Sequence, residues 1–270
     1  MKQLFMMAMV VVPLLLSLSV SADVLVSKIK YGGVAGLLGS KGELYISKSV
    51  EDNKGTAIVS PGGAIPSTAM SGLAEGLAKE GFVVFVVRYP LNLAIIPGGW
   101  NKVFSLAKLV KNNPDRIRLD RSEDPSALAL ATERFTSNSR VVVVGHSLGG
   151  AILGHRFGME TDVDQFYLVG VDSLVLPPSN PIADVTLLVG ENDCLANPAG
   201  NENLTCPQPA ASDKLLELAD YLQQDPTILP GVNHFCIISD PEVGDADKRA
   251  EDGPGLASSA CIDILVSFID

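Results

Sequence analysis

The sequence predicts an α/β fold in one domain, a mainly parallel β-sheet with helices on both faces. Short apolar runs rich in β-branched residues alternate with stretches whose apolar positions recur every three or four residues, the pattern of successive strand–helix units. Hydrophobic residues make up 47% of the 270 positions and charged residues 19%, enough apolar material for a sizeable core and too little charge for wholesale disorder. No internal repeat or low-complexity linker divides the chain, so residues 23–270 are expected to form that one domain.

Val24 to Tyr31 and Leu44 to Ser47 read as an early antiparallel pair of strands, and TAIVS (Thr56 to Ser60) as a buried one. Ser67 to Lys79 reads as a helix, because Met70, Leu73, Leu77 and then Ala74 and Ala78 fall on one face. FVVFVV (Phe82 to Val87) is the next strand, Lys102 to Lys111 the next helix, and Asn112 to Asp124 a charged loop. Pro125 to Phe135 suits a helix capped by Asp124. Val141 to Val144 is a strand and Leu148 to Phe157 the helix after it. Gln165 to Val171 and Val185 to Val189 are two more strands, Ser212 to Leu222 an amphipathic helix, Thr227 to Leu229 a short strand and Ala257 to Ile269 a final helix.

The N-terminal stretch MKQLFMMAMVVVPLLLSLSVSA has a positive start at Lys2, an apolar core from Leu4 to Leu16 and small residues at Val20-Ser21-Ala22. That is the pattern of a secretory signal peptide over residues 1–22, with a core short for a spanning helix of ~20 apolar residues. The mature chain is expected to begin near Asp23, with no membrane span, in a secreted or periplasmic setting. The net charge of −11 repels phosphate backbones and argues against a nucleic-acid partner.

The four cysteines, Cys194, Cys206, Cys236 and Cys261, suit an oxidising compartment. No C-x-x-C spacing occurs and there are only three histidines, which leaves a zinc cluster poorly supported. Two disulfides are expected. The preferred pairing is Cys194–Cys206, closing a short loop worth ~3 kcal/mol in the chain-entropy model, with Cys236–Cys261 tying down the end of the chain.

Gly145-His146-Ser147-Leu148-Gly149 matches G-x-S-x-G between an apolar strand and a helix pattern. Such a turn strains the backbone at Ser147 and projects its hydroxyl above the carboxyl ends of the strands. A serine hydroxyl needs a base to become a nucleophile. His146 adjoins the serine, so its side chain should point away from it. His155 lies about 12 Å further along a helix and reads as a packing residue. His234, in GVNHF on a loop near the chain's end, remains as the base. The carboxylate that orients it is expected to be Asp193, in VGENDCLANP after a strand, with Asp172 as competitor and Glu191 directed to solvent. Oxyanion donors are expected from the Leu148 N–H and from Gly63 in Pro61-Gly62-Gly63-Ala64, with Ala64 in reserve.

With these motifs in hand, the chain resembles the α/β-hydrolase superfamily over most of its mature length. The order Ser147, Asp193, His234 is that of the superfamily. More narrowly it resembles the dienelactone-hydrolase-like branch of small secreted serine esterases, on the PGG turn (Pro61 to Gly63), RYPLNLAI (Arg88 to Ile95), GHSLGG, GENDC and GVNHF. The resemblance implies a three-layer sandwich, and DSLVLPPSNPIAD (Asp172 to Asp184) leaves no room for a cap domain between two strands. Some polyester hydrolases of this fold join the acid and base loops by a disulfide, which would imply Cys194–Cys236 instead of the pairing above. Two departures matter. Gly63 stands where those enzymes carry an aromatic clamp, and Ser147 where dienelactone hydrolases often carry cysteine.

The expectation is a serine hydrolase acting on a small-molecule carboxylic ester through an acyl-enzyme, with no metal or cofactor. The alternatives are a non-catalytic binding protein on the same scaffold, or an acyltransferase; fold alone does not choose among them. Leu91 to Trp100 (LNLAIIPGGW) either forms one wall of the site or packs as an ordinary loop. Arg88 is read as a solvent-facing ion pair in preference to a partner for a substrate carboxylate. Asn203-Leu204-Thr205 is a glycosylation sequon, with meaning only in a eukaryotic host.

Overall fold

Side chains alternate along a central sheet of nine strands, and that alternation decides which helices cover which face. This computed structural model describes residues 23–32, 39–89, 99–120, 123–135, 139–158, 161–175, 182–196, 212–239 and 255–270. The expected signal sequence, residues 91–98 of the apolar segment, Asn203 and Cys206 lie outside the described residues.

The strands are β1 (Val24–Tyr31), β2 (Ser40–Ser47), β3 (Gly55–Ser60), β4 (Phe82–Arg88), β5 (Arg118–Leu119), β6 (Val141–His146), β7 (Gln165–Val169), β8 (Asp184–Gly190) and β9 (Thr227–Leu229). Their order across the sheet is β5-β1-β2-β4-β3-β6-β7-β8-β9. β1 pairs antiparallel with β2 and β5, and β2 antiparallel with β4. From β4 through β3, β6, β7 and β8 to β9 every pairing is parallel.

The helices are α1 (Ser71–Lys79), α2 (Gly99–Asn112), α3 (Pro125–Arg134), α4 (Leu148–Ala151), α5 (Ser212–Leu222) and α6 (Ser258–Ile269). Val141 and Val143 face the core built with α2, α3 and α5, while Val142 and Val144 face the core built with α1 and α6. All four valines are fully buried, which is why β6 is apolar at successive positions instead of at alternate ones. The result is a three-layer α/β sandwich. Among the described residues no helix or strand lies between β7 and β8.

Three elements differ from their sequence expectation. The charged loop after α2 contains a short 3₁₀ turn, Pro114–Arg116, and then β5, which pairs Arg118 and Leu119 with Lys30 and Ile29. Two residues, one of them charged, carry no periodicity that could reveal a strand. The helix expected over Leu148 to Phe157 is one α turn, α4, followed by a 3₁₀ segment, Ile152–Arg156. Gly149, Gly150 and Gly154 weaken the α-helix there, and tight packing favours glycine: a Cβ on Gly150 would sit 2.5 Å from Val171 Cγ2. The helix expected from Ser67 begins with a 3₁₀ turn, Ser67–Met70, before α1. The Asp124 cap is present, its side chain accepting the Ser126 N–H at 2.9 Å.

Cys236 is bonded to Cys261, with Cα atoms 5.9 Å apart at a sequence separation of 25. This ties the loop after β9 to α6 and overturns the Cys194–Cys236 bridge that the resemblance to polyester hydrolases implied. Cys194 is also disulfide-bonded; Cys206, its expected partner, lies outside the described residues. Replacing both Cys236 and Cys261 by serine is expected to lower the unfolding free energy by about 3 kcal/mol, the loop-closure term for such a loop, read as a shifted urea midpoint. An unmoved midpoint would show that the bridge contributes nothing to stability.

Candidate active site

The carboxyl ends of the parallel strands meet along one edge of the sheet, the edge where ligands bind in open α/β sheets. β6 runs out at His146, and the chain turns at Ser147 with φ 50° and ψ −129°. A positive φ at a residue with a Cβ costs of order 1–3 kcal/mol and persists only where the surroundings enforce it. Here they do. Ser147 N–H donates to the Val169 carbonyl at 2.9 Å, and the Ser147 carbonyl accepts from Gly150 and Ala151 N–H at 2.9 and 3.0 Å. Gly149 lets the turn seat against β3: a Cβ there would lie 2.1 Å from the Pro61 carbonyl oxygen. Ser60 Oγ donates to the Gly149 carbonyl at 2.9 Å and lies 2.7 Å from Tyr89 Oη.

Asp193, after β8, and His234, after β9, form a buried pair, with 1% and 6% of their surfaces exposed. His234 Nδ1 donates to the carboxylate at 3.0 Å to Oδ2 and 3.1 Å to Oδ1. The carboxylate only accepts, so Nδ1 carries a proton. Oδ1 also accepts from the Leu195 and Ala196 amides at 3.0 and 2.8 Å. Burial pushes the Asp193 carboxyl up, but the charge and hydrogen bond of His234 and the Ala196 amide outweigh it, holding it below the ordinary carboxylate range.

Ser147 and His234 line one cleft of about 570 Å³, together with Gly63, Ala64 and Leu148. Ala64 has φ 59°, so two of the three non-glycine residues described with positive φ border this cleft. Leu148 is the first residue of α4, where the amide has no intrahelical acceptor. The five residues expected for catalysis and the oxyanion therefore converge, Asp193 standing behind His234. Asp172 also lines the cleft, but its Oδ1 accepts from Ser173 Oγ at 3.0 Å and the His234 ring is held by Asp193. Neither Arg88, exposed at the end of β4, nor His155, in the 3₁₀ segment after α4, lines the cleft. Among the described residues no group of three or more His, Cys, Asp or Glu side chains converges so as to hold a metal ion.

Three residues with a part in this geometry escaped the sequence reading. Gly170 follows β7 at φ 60°, and a Cβ on it would lie 2.9 Å from Asp193 Oδ2 and 3.0 Å from His234 Nδ1. Glu191, expected to face solvent, accepts the Gly231 N–H at 2.9 Å and so ties the loop after β8 to the loop after β9. His146 is fully buried, and its Nε2–H donates to the His234 carbonyl at 2.9 Å. Period-two alternation from Val142 and Val144 puts His146 on the face where the His234 loop packs, a signal the strand boundary at Val144 concealed.

Neither a family model nor a curated protein matches the chain. Among solved structures it is similar to the ferulic acid esterase from Streptomyces cinnamoneus, with a TM-score of 0.62 and 11% identity, over 93% of this chain and 89% of that one. At that identity the likeness establishes a shared fold.

Burial, with the field of His234 next, lowers the His146 pKa from 6.5 to about 3. The unfolded chain, with the ordinary value, binds a proton that the folded chain refuses throughout the interval between the two. Stability from this group is thus complete above 6.5 and lost progressively as the pH falls toward 3. Urea unfolding at a series of pH values should show stability dropping across that interval, and the slope should be shallower in His146→Gln. Equal slopes would contradict a buried neutral imidazole.

Proposed function

We propose that the chain is a secreted serine hydrolase that cleaves carboxylic esters, its mature part a single domain over residues 23–270. The observation that carries the reading is the buried Asp193–His234 pair, 3.0 Å apart, beside a cleft that a backbone-strained Ser147 also lines. Ser147 Oγ attacks the ester carbonyl while His234 Nε2 takes its proton. Asp193 keeps the opposite nitrogen protonated and stabilises the imidazolium that forms. The Leu148 and Gly63 amides hold the oxyanion, an interaction for which losing one donor costs about 2.7–4 kcal/mol in enzymes of this kind. The alcohol leaves with the proton from His234, and water repeats the sequence on the acyl-enzyme to release the acid.

The esterase named above has the same fold, which supports ester substrates here. Ile65, Leu148, Val171, Val175, Leu195 and Phe235 make much of the cleft wall apolar, as suits an acyl or alkyl group. The Cys236–Cys261 bond fits an oxidising compartment and the expected leader at residues 1–22. Among the described residues no helix is long and apolar enough to cross a membrane.

The direct test is covalent labelling. A fluorophosphonate should modify Ser147, and Ser147→Ala should neither label nor hydrolyse short p-nitrophenyl esters while its circular dichroism is unchanged. Full activity in Ser147→Ala would end the assignment. Gly170→Ala should lower kcat by about a hundredfold, the scale of an ångström's misplacement of a catalytic group, because the new methyl displaces the acid–base pair. Activity should also fall in acid as the imidazole base is protonated; a flat kcat/KM profile from pH 8 to 4 would speak against an imidazole base.

A further inference from the structure

His146 occupies the junction of three elements. It ends β6 and precedes Ser147 directly. Its Nε2–H donates to the backbone carbonyl of His234, 88 residues away in sequence, at 2.9 Å. The two imidazoles lie 4.9 Å apart between centroids. On the other side of the ring is Gly62, before the expected oxyanion donor: a Cβ on Gly62 would sit 3.1 Å from His146 Nδ1 and 3.0 Å from Ser147 Cβ. One buried ring thus separates the serine turn, the base loop and the Gly62–Gly63 turn.

Its protonation state is fixed by those surroundings. The carbonyl partner only accepts, so the proton resides on Nε2, and Nδ1 is buried with no hydrogen-bond partner. A buried acceptor left unpaired is unfavourable. A purely apolar side chain would avoid that cost, yet would leave the His234 carbonyl without this donor.

We propose that His146 is a positioning residue for the reaction: its Nε2–H fixes the backbone of His234, and so sets the distance between base and nucleophile. It touches no reacting atom and exchanges no proton during turnover. The inference rests on the esterase reading and concerns the loop that presents the base to Ser147.

Three substitutions separate donation from space-filling. Glutamine extends an N–H to about the reach of Nε2, asparagine has an N–H that stops short, and leucine has none. His146→Gln should retain kcat within about threefold, whereas His146→Asn and His146→Leu should lose roughly ten- to a hundredfold, the scale set by small misplacements of a catalytic group. KM should change little in all three, since the ring does not line the cleft. Second-order rates of fluorophosphonate labelling at Ser147 should follow the same order, and melting temperatures separate this from loss of folding. If the leucine variant fails to fold, the glutamine–asparagine contrast carries the test. Wild-type labelling with all variants equally fast would overturn the positioning role alone, as would glutamine as slow as asparagine. A wild-type chain that neither labels nor hydrolyses would overturn the esterase reading and this inference with it.

Discussion

The site depends on keeping an ionised carboxylate almost out of water. Asp193 is 1% exposed, and a buried charge is tolerated only with a counter-partner and hydrogen bonds to its remaining lone pairs. His234 provides the first, and the Leu195 and Ala196 amides the second. The pair therefore works only if two loops, one after β8 and one after β9, hold a fixed separation. Much of the nearby structure serves that requirement. Glu191 accepts from Gly231, Asn192 N–H donates to the Val232 carbonyl at 2.9 Å, and the Cys236–Cys261 bond anchors the far end of the His234 loop to α6.

The same loop is also held from its other side. Ser239 N–H donates to the Ala69 carbonyl at 2.8 Å, and Ser239 Oγ accepts from Gly72 N–H at 2.7 Å. His234 thus rides on a segment fixed at the sheet, at the helix layer and by a covalent bond. Ser147 is fixed differently, by strand pairing below it and by a glycine-lined seat against β3. Ser147 and His234 thus stand on two independently braced parts that line one cleft, with the His146 ring beside both.

Most of the scaffold was legible because β-branched runs such as Val141 to Val144 and Phe82 to Val87 announce strands buried on both faces. The meeting of Ser147 and His234 at one cleft, with Asp193 paired to His234, was legible because each follows a strand or a strand-like run and because few histidines compete. What escaped has a common cause. β5 owes its existence to pairing with β1, which no local pattern encodes. Gly170 matters through two side chains that sequence sets far from it. Glu191 and His146 were judged by the residues beside them, when their partners lie on a loop some forty and ninety positions away. Periodicity reports which face is covered; it does not report what covers it.

Ser147 and Ala64 both hold a backbone conformation that glycine would adopt without strain. The rim of the cleft therefore carries backbone strain that the surrounding fold must enforce. Glycine at position 147 would relieve that strain but leave no hydroxyl at the turn. Relief of strain and the presence of a hydroxyl thus pull on this one residue in opposite directions.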